Sequence, residues 1–173
     1  ALRMPDTDTT DVLVVGAGIA GLSAAIAADR QGREVTLVTK AERPEASSSY
    51  WAQGGIAVTR GDPQQLKRDV LDASAGPADE AAVDVLVDEA DDAVRDLLLD
   101  AAGVTFDGKY HADGPTTAQD DADLGLAEAG FDFGQEAAHA EPRILHVDAS
   151  TGKHVLVPLL NYVADETDVT VHE

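Results

Sequence analysis

The chain has 173 residues, 44% of them hydrophobic, which is enough for one domain with a buried core. It contains no cysteine, so disulfides, thiolate metal sites and cysteine nucleophiles are excluded. Twelve Lys and Arg against 33 Asp and Glu leave a net charge of -21, a field that repels nucleic acid and anionic membrane surfaces and excludes both as partners.

Residues 1–7 are polar, lack the apolar stretch of a signal peptide and read as a disordered tail or an expression scar, with Met4 the only methionine. Residues 11–15 (DVLVV) are a short apolar run ending at glycine, the pattern of a buried strand. Residues 18–30, rich in Ala, Leu and Ile, predict a helix stopped by Gly32, and residues 34–38 (EVTLV) predict a second strand. Strand, helix and strand in so short a span make a βαβ unit, with parallel strands and a right-handed crossover.

Residues 43–61 are irregular by pattern, and residues 64–73 are weakly helical. Over residues 77–102, Val83, Leu86, Val87, Ala90, Val94, Leu97, Leu98 and Ala101 fall on one helical stripe. Pro77 suits the first turn of that helix, Asp79 and Glu80 suit its positive end, and Gly103 is the stop. Residues 107–130, rich in Gly, Asp and Thr, predict a long loop of the kind that is functional or mobile. Ser150 or Thr151 is placed to cap a helix running to residue 164, with Pro158 forcing a kink or a later start. Residues 168–171 (DVTV) predict a last strand, and no internal repeat or interdomain linker interrupts the chain. The acids are scattered over polar faces, as at Asp84, Asp88, Asp91, Asp92 and Asp96. That spread fits a surface solvated at high salt, where screening relieves self-repulsion, and implies a halophilic source. No apolar run reaches the roughly 18 residues of a membrane span, and a cytoplasmic location is expected.

The chemistry begins at VVGAGIAGLSAA, where Gly16, Gly18 and Gly21 form G-x-G-x-x-G between the first strand and the helix. Gly16 permits the turn, Gly18 lets a pyrophosphate approach the backbone, and Gly21 lets the helix lie close on the strand. The free N–H groups and dipole of the helix N-terminus then attract the phosphates; close packing alone is the alternative. The acid that usually grips a ribose at the end of the second strand is missing, since Thr39 and Lys40 follow Val38. Lys40 fits either a phosphate or ring contact or a solvated cation at a loop start. Residues 47–58 (SSSYWAQGGIAV) place Tyr50 beside the only tryptophan, Trp51, which fits a turn with buried anchors or a wall along a flat cofactor. His139 and His146 have no third ligand spaced for a metal.

These two segments together resemble the flavoprotein family of succinate dehydrogenase, fumarate reductase and L-aspartate oxidase. In that family a segment ending in A-Q-G-G-I follows the second strand and lies along FAD, and Ala52, Gln53, Gly54, Gly55 and Ile56 match it. The resemblance implies FAD contacts from Gly16, Ala17, Gly18, Ile19, Ala20 and Gly21, and from Lys40, Ser48, Ser49, Tyr50, Trp51 and Ala52 through Gly55. Members of membrane complexes attach FAD covalently through a His four residues before the alanine of A-Q-G-G. Here that position is Ser48, so non-covalent FAD is expected.

A second match lies in residues 136–152 (EAAHAEPRILHVDASTG), which resemble the aspartate oxidase pattern beginning E-G-G-H-S-x-x-R-I-L-H and ending T-G. Glu136, His139, Arg143, Ile144, Leu145, His146, Asp148, Thr151 and Gly152 align, while Ala137, Ala138 and Ala140 replace the family's Gly, Gly and Ser. Alanine takes positive φ less readily than glycine. The resemblance implies that Glu136 faces the substrate amino group, where a negative charge favours an ammonium-bearing dicarboxylate over succinate. Without it, Glu136 reads as one more surface acid.

The expected fold is α/β, a Rossmann-like FAD-binding βαβ core with a parallel sheet and added helices, incomplete at its C-terminus. Residues 11–61 hold the dinucleotide unit and flavin-lining loop, 62–148 a helical excursion and acidic loop, and 149–173 a helix and return strand. By resemblance the whole protein oxidises L-aspartate to iminoaspartate in NAD biosynthesis. O2 or fumarate is the acceptor, and quinolinate synthase is a candidate partner. The match covers the N-terminal third or so of a family member, so the isolated chain is expected to bind FAD weakly or not at all and to lack turnover. The alternatives are a segment of a soluble fumarate reductase or succinate dehydrogenase relative, and a non-catalytic dinucleotide-binding module.

Overall fold

The first strand, β1 (Val12–Val15), leads into helix α1 (Ile19–Asp29) and a second strand, β2 (Val35–Val38). These and all later elements come from a computed structural model that describes residues 9–108, 110–111, 114–115, 126, 130–136 and 138–173. Residues 1–7 and most of the expected 107–130 loop lie outside the described residues.

The stretch after β2 is more ordered than its pattern predicts. Two 3-10 turns, Pro44–Ala46 and Ser48–Trp51, are followed by a two-residue strand, β3 (Ile56–Ala57). Elements this short leave no periodicity to read. Helix α2 (Pro63–Ser74) begins after Asp62, whose side chain accepts the Gln64 N–H. Helix α3 (Glu80–Ala93) starts later than expected. Asp79 is its N-cap and accepts the Ala81 and Ala82 N–H groups, so Pro77 lies outside the helix. The helix continues as a π-wound turn over Val94–Ala101, where Ala102 N–H reaches back to Leu97 O. Val83, Val87, Val94 and Leu98 are buried, but Leu86 is half exposed. A single partner helix, α2, takes only the Val83–Val87 row against Leu66.

Within the expected loop, a small hairpin pairs β4 (Tyr110–His111) with β5 (Gly114–Pro115). Strands β6 (Phe133–Gly134) and β7 (Ile144–Leu145) follow, and β7 is the centre of an antiparallel sheet in the order β3-β7-β6. Helix α4 (Thr151–Glu166) continues on both sides of Pro158, so the proline does not delay its start. The last strand, β8 (Thr170–His172), sits two residues later than its sequence pattern suggests. It adds parallel to β2, giving a sheet in the order β1-β2-β8 with Val14, Leu37 and Val171 in register.

The parallel sheet and α4 share one core. Val14, Val35 and Leu37 from the sheet pack with Leu22, Ala25 and Ile26 of α1 and Val155, Leu156, Leu159 and Val163 of α4. Each fully buried Leu or Ile contributes about 1.5–3 kcal/mol. On the opposite face Leu13 and Val15 are 59% and 79% exposed. Everything between β2 and β8 is therefore an excursion within one βαβ crossover, and it brings residues 47–49 back to the N-terminus of α1. No helix among the described residues is long and apolar enough to cross a membrane.

Candidate functional site at the glycine loop

The carboxyl end of β1 turns sharply at Gly16, whose φ of 105° suits glycine, and Gly16 N–H bonds Val38 O at 2.8 Å. A Cβ on Gly21 would run into the carbonyl oxygen of Gly16, so α1 lies against the turn only because that residue has no side chain. Gly18 is the N-cap of α1 and offers no capping group, and the first turn of the helix carries no acid. In a protein of charge -21, that leaves the positive end of a helix dipole unopposed locally.

The missing cap comes from 30 residues away. Ser49 Oγ accepts the Ile19 N–H at 3.3 Å, and Ser47 Oγ accepts the Ser49 N–H at 3.3 Å. The serine turn thus lies directly over the helix N-terminus. Between them opens a cleft of about 740 Å³, lined by Gly16, Ala17, Gly18, Lys40, Ser48 and Ser49 among others. An apolar recess of about 270 Å³, walled by Leu22, Leu37, Leu160 and Val163, shares Ala17, Thr39, Ala41, Ser47 and the acidic Glu173 with it. Ser47 and Thr39 were not named as site residues although they lie in or beside the segments that were, and Ala41 carried no sequence signal. They enter the site because β2 and the serine turn happen to end beside the glycine loop.

A second helix holds the same turn from the other side. Gly152, in the first turn of α4, donates its N–H to Ala52 O at 2.8 Å, and a Cβ there would strike Ser49 O. Thr151 is buried, accepting the Val147 N–H at 3.1 Å and donating to Gln53 O at 3.4 Å. Tyr50 packs against the core, and Trp51 meets it edge-on at 5.1 Å. Trp51 is 65% exposed and donates Nε1–H to Glu45 O at 2.7 Å. The aromatic pair therefore anchors the turn, and neither ring lines the cleft. Ile19, Ala52 and Gly55 line a separate apolar pocket of about 200 Å³ beneath the turn. Ala20 is exposed on α1, outside the cleft.

The A-Q-G-G segment then reaches the small antiparallel sheet. Gly55 has φ 124°, and a Cβ there would collide with Ile144 and the Leu145 carbonyl. Glu136 Oε1 lies 3.5 Å from where a Cβ on Gly54 would stand, so the acid and the glycine pair are neighbours. The loop carrying Glu136 is tied to α2 by Asp69, whose Oδ2 accepts the Ala140 N–H at 2.9 Å. That bond, more than the neighbouring Gln65 and Arg143, holds the Asp69 carboxyl below the usual aspartate range against the opposing cost of burial. Arg143 is fully buried, donating Nη1–H to Arg60 O at 2.9 Å, while its Nε and Nη2 have no hydrogen-bond partner. Ala138 and Ala140 do not require positive φ; Ala137 lies outside the described residues. His146 faces Asp107 through Nδ1 at 3.2 Å and stands apart from His139 in its contacts.

Comparison with known proteins gives the site a context. A model of the family described as FAD binding domain matches residues 11–173. The chain is 49% identical over 170 residues to an L-aspartate oxidase of Halobacterium salinarum, covering 98% of this chain and 30% of that protein. It is 37% identical over 166 residues to an L-aspartate oxidase of a Synechocystis species, covering 93% of this chain and 26% of that protein. The chain thus spans less than a third of the curated relatives it matches. Among solved structures, it superposes on the apo Sdh1 complex of Mycobacterium smegmatis with a TM-score of 0.72 at 24% identity, covering 94% of this chain and 27% of that one. A flavocytochrome c3 fumarate reductase in an open conformation gives a TM-score of 0.73 at 21% identity, covering 96% and 27%. At that identity these structures establish a shared fold.

Proposed function

The chain belongs to the FAD binding domain family, and on that premise we propose that it is the N-terminal, cofactor-holding segment of an L-aspartate oxidase. FAD suits the residues present. The bare N-cap at Gly18 and the acid-free first turn of α1 would take the diphosphate, and Lys40 on the rim of the cleft adds a cation. Gly16, Ala17, Gly18, Ser48 and Ser49 would surround that half, and Gln53, Gly54 and Gly55 would approach the ring system. FAD supplies a two-electron acceptor when bound; the chain's own part is to bind, orient and discriminate.

The observation that carries the substrate assignment is Glu136 Oε1 beside Gly54. A carboxylate next to the ring-facing backbone favours a substrate bearing an ammonium group, and L-aspartate has one where succinate does not. O2 or fumarate is the proposed acceptor, quinolinate synthase a proposed partner, and the cytoplasm the proposed location. The isolated chain is proposed to bind FAD weakly or not at all and to have no turnover.

The purified full-length protein tests this directly. Under anaerobic conditions its flavin band should bleach on adding L-aspartate and persist with succinate; bleaching by succinate alone contradicts the reading. Acid precipitation should release all of the flavin into the supernatant, because Ser48 lacks the imidazole nitrogen through which covalent relatives hold it. Flavin retained in the pellet contradicts that part.

A further inference from the structure

We propose that Asp69 is a positioning residue for Glu136, acting through the backbone of Ala140; this rests on the substrate-facing reading of Glu136 above. Asp69 lies on α2 and is 8% exposed, in a chain whose other described acids are at least partly exposed. Both of its oxygens are engaged. Oδ2 accepts the Ala140 N–H at 2.9 Å, and Oδ1 accepts Gln65 Nε2–H at 2.7 Å.

Ala140 belongs to the loop joining β6 to β7, which also carries Glu136. At the start of that loop His139 N–H bonds Glu136 O at 3.0 Å, and Gln135 Nε2–H bonds His139 O at 2.8 Å. These two bonds tie Gln135 and Glu136 to His139, and Ala140 is the next residue. The far end is fixed by Arg143, whose N–H bonds Gly134 O at 3.0 Å and whose guanidinium reaches Arg60 O. Between these ends the tie from α2 is Asp69. Among the described residues the Glu136 side chain has no hydrogen-bond partner, so its place beside Gly54 is set by its backbone. Without the carboxylate, the part-buried Ala140 N–H loses its protein acceptor, α2 loses its tie to the loop, and the loop is free to leave Gly54.

The test uses the full-length oxidase. Asp69→Ala is expected to raise the KM for L-aspartate roughly tenfold, with kcat much less affected. Bound flavin and fumarate reduction should stay at wild-type level, because fumarate carries no ammonium group. Asp69→Asn keeps an oxygen to accept the Ala140 N–H and is expected within about twofold of wild type. In a Glu136→Gln background the effect of Asp69→Ala should vanish. Should Asp69→Ala fail to accumulate, Asp69→Ser, too short to reach Ala140, carries the same expectation. Parallel losses of flavin, fumarate turnover and aspartate turnover overturn the inference, as does full additivity with Glu136→Gln. A raised KM in Glu136→Gln beside a wild-type KM in Asp69→Ala overturns the inference alone. An unchanged KM in Glu136→Gln overturns the reading of Glu136 on which it rests.

Discussion

Gly152 sits where a methyl group has no room. Its Cβ would collide with Ser49 O and stand 2.8 Å from Ala52 N, so the first turn of α4 and the serine turn touch backbone to backbone. Alanine normally favours a helix over glycine by about 1 kcal/mol, but overpacking costs about 1–3 kcal/mol. Gly152→Ala should therefore lower the melting temperature and, by pushing Ser49 off Ile19 N–H, reduce flavin content; thermal unfolding and the visible spectrum check both. A variant that melts higher would mean the contact yields. In the sequence Gly152 was visible only as part of the aspartate oxidase pattern, because contacts between residues 49 and 152 leave no local trace. Gly16, Gly18 and Gly21 were legible because each does its work within five residues of the others. Ser48 was legible only by comparison with the histidine of covalent relatives. Trp51 read as either an anchor or a wall; its Nε1–H bonds Glu45 O while its ring is 65% exposed.

Elements bounded by unambiguous local punctuation were read well, and short elements were not. β1, α1 and β2 fall within a residue or two of their expected bounds, since an apolar run, an Ala-rich segment and a glycine punctuate each other. The two-residue strands β3, β6 and β7 were missed because their pairing is non-local. The start of α3 was misplaced because Pro77 and Asp79 are both start signals, and the side-chain cap at Asp79 won. Asp79→Ala should thus cost about 1 kcal/mol in denaturant unfolding, the usual weight of an N-cap, where Pro77→Ala should cost little. Lys67 joins α2 to α3 through Glu80 at 2.9 Å and Asp84 at 2.6 Å, and these partners, Asp84 foremost, hold its ammonium above the ordinary lysine range. Asp69 adds a pH signature to α2. Its folded carboxyl titrates below the unfolded value of about 3.9, so its contribution is present above that pH and fades as pH falls through the lowered folded value. The stability gap between wild type and Asp69→Asn should therefore narrow below about pH 4; a gap that widens there would reverse the sign.

At the scale of the whole molecule, the charge of -21 and the open sheet face set the behaviour of the isolated chain. Exposed charges repel over about 10 Å at 0.1 M salt and about 3 Å at 1 M, so the melting temperature should rise from 0.1 M to 2 M KCl, and a fall would contradict the electrostatic reading. Leu13 and Val15 stand open on the face opposite α1 and α4, and the isolated chain should bind an apolar dye there. The cleft between the glycine loop and the serine turn is proposed to grip the diphosphate and adenosine half of FAD. Competition in the full-length apoprotein tests it most directly, with FAD binding titrated in the presence of ADP or of riboflavin. A diphosphate held at the N-terminus of α1 predicts that ADP displaces FAD while riboflavin, which lacks that half, binds far more weakly. Riboflavin binding as tightly as FAD, with no competition from ADP, would contradict it.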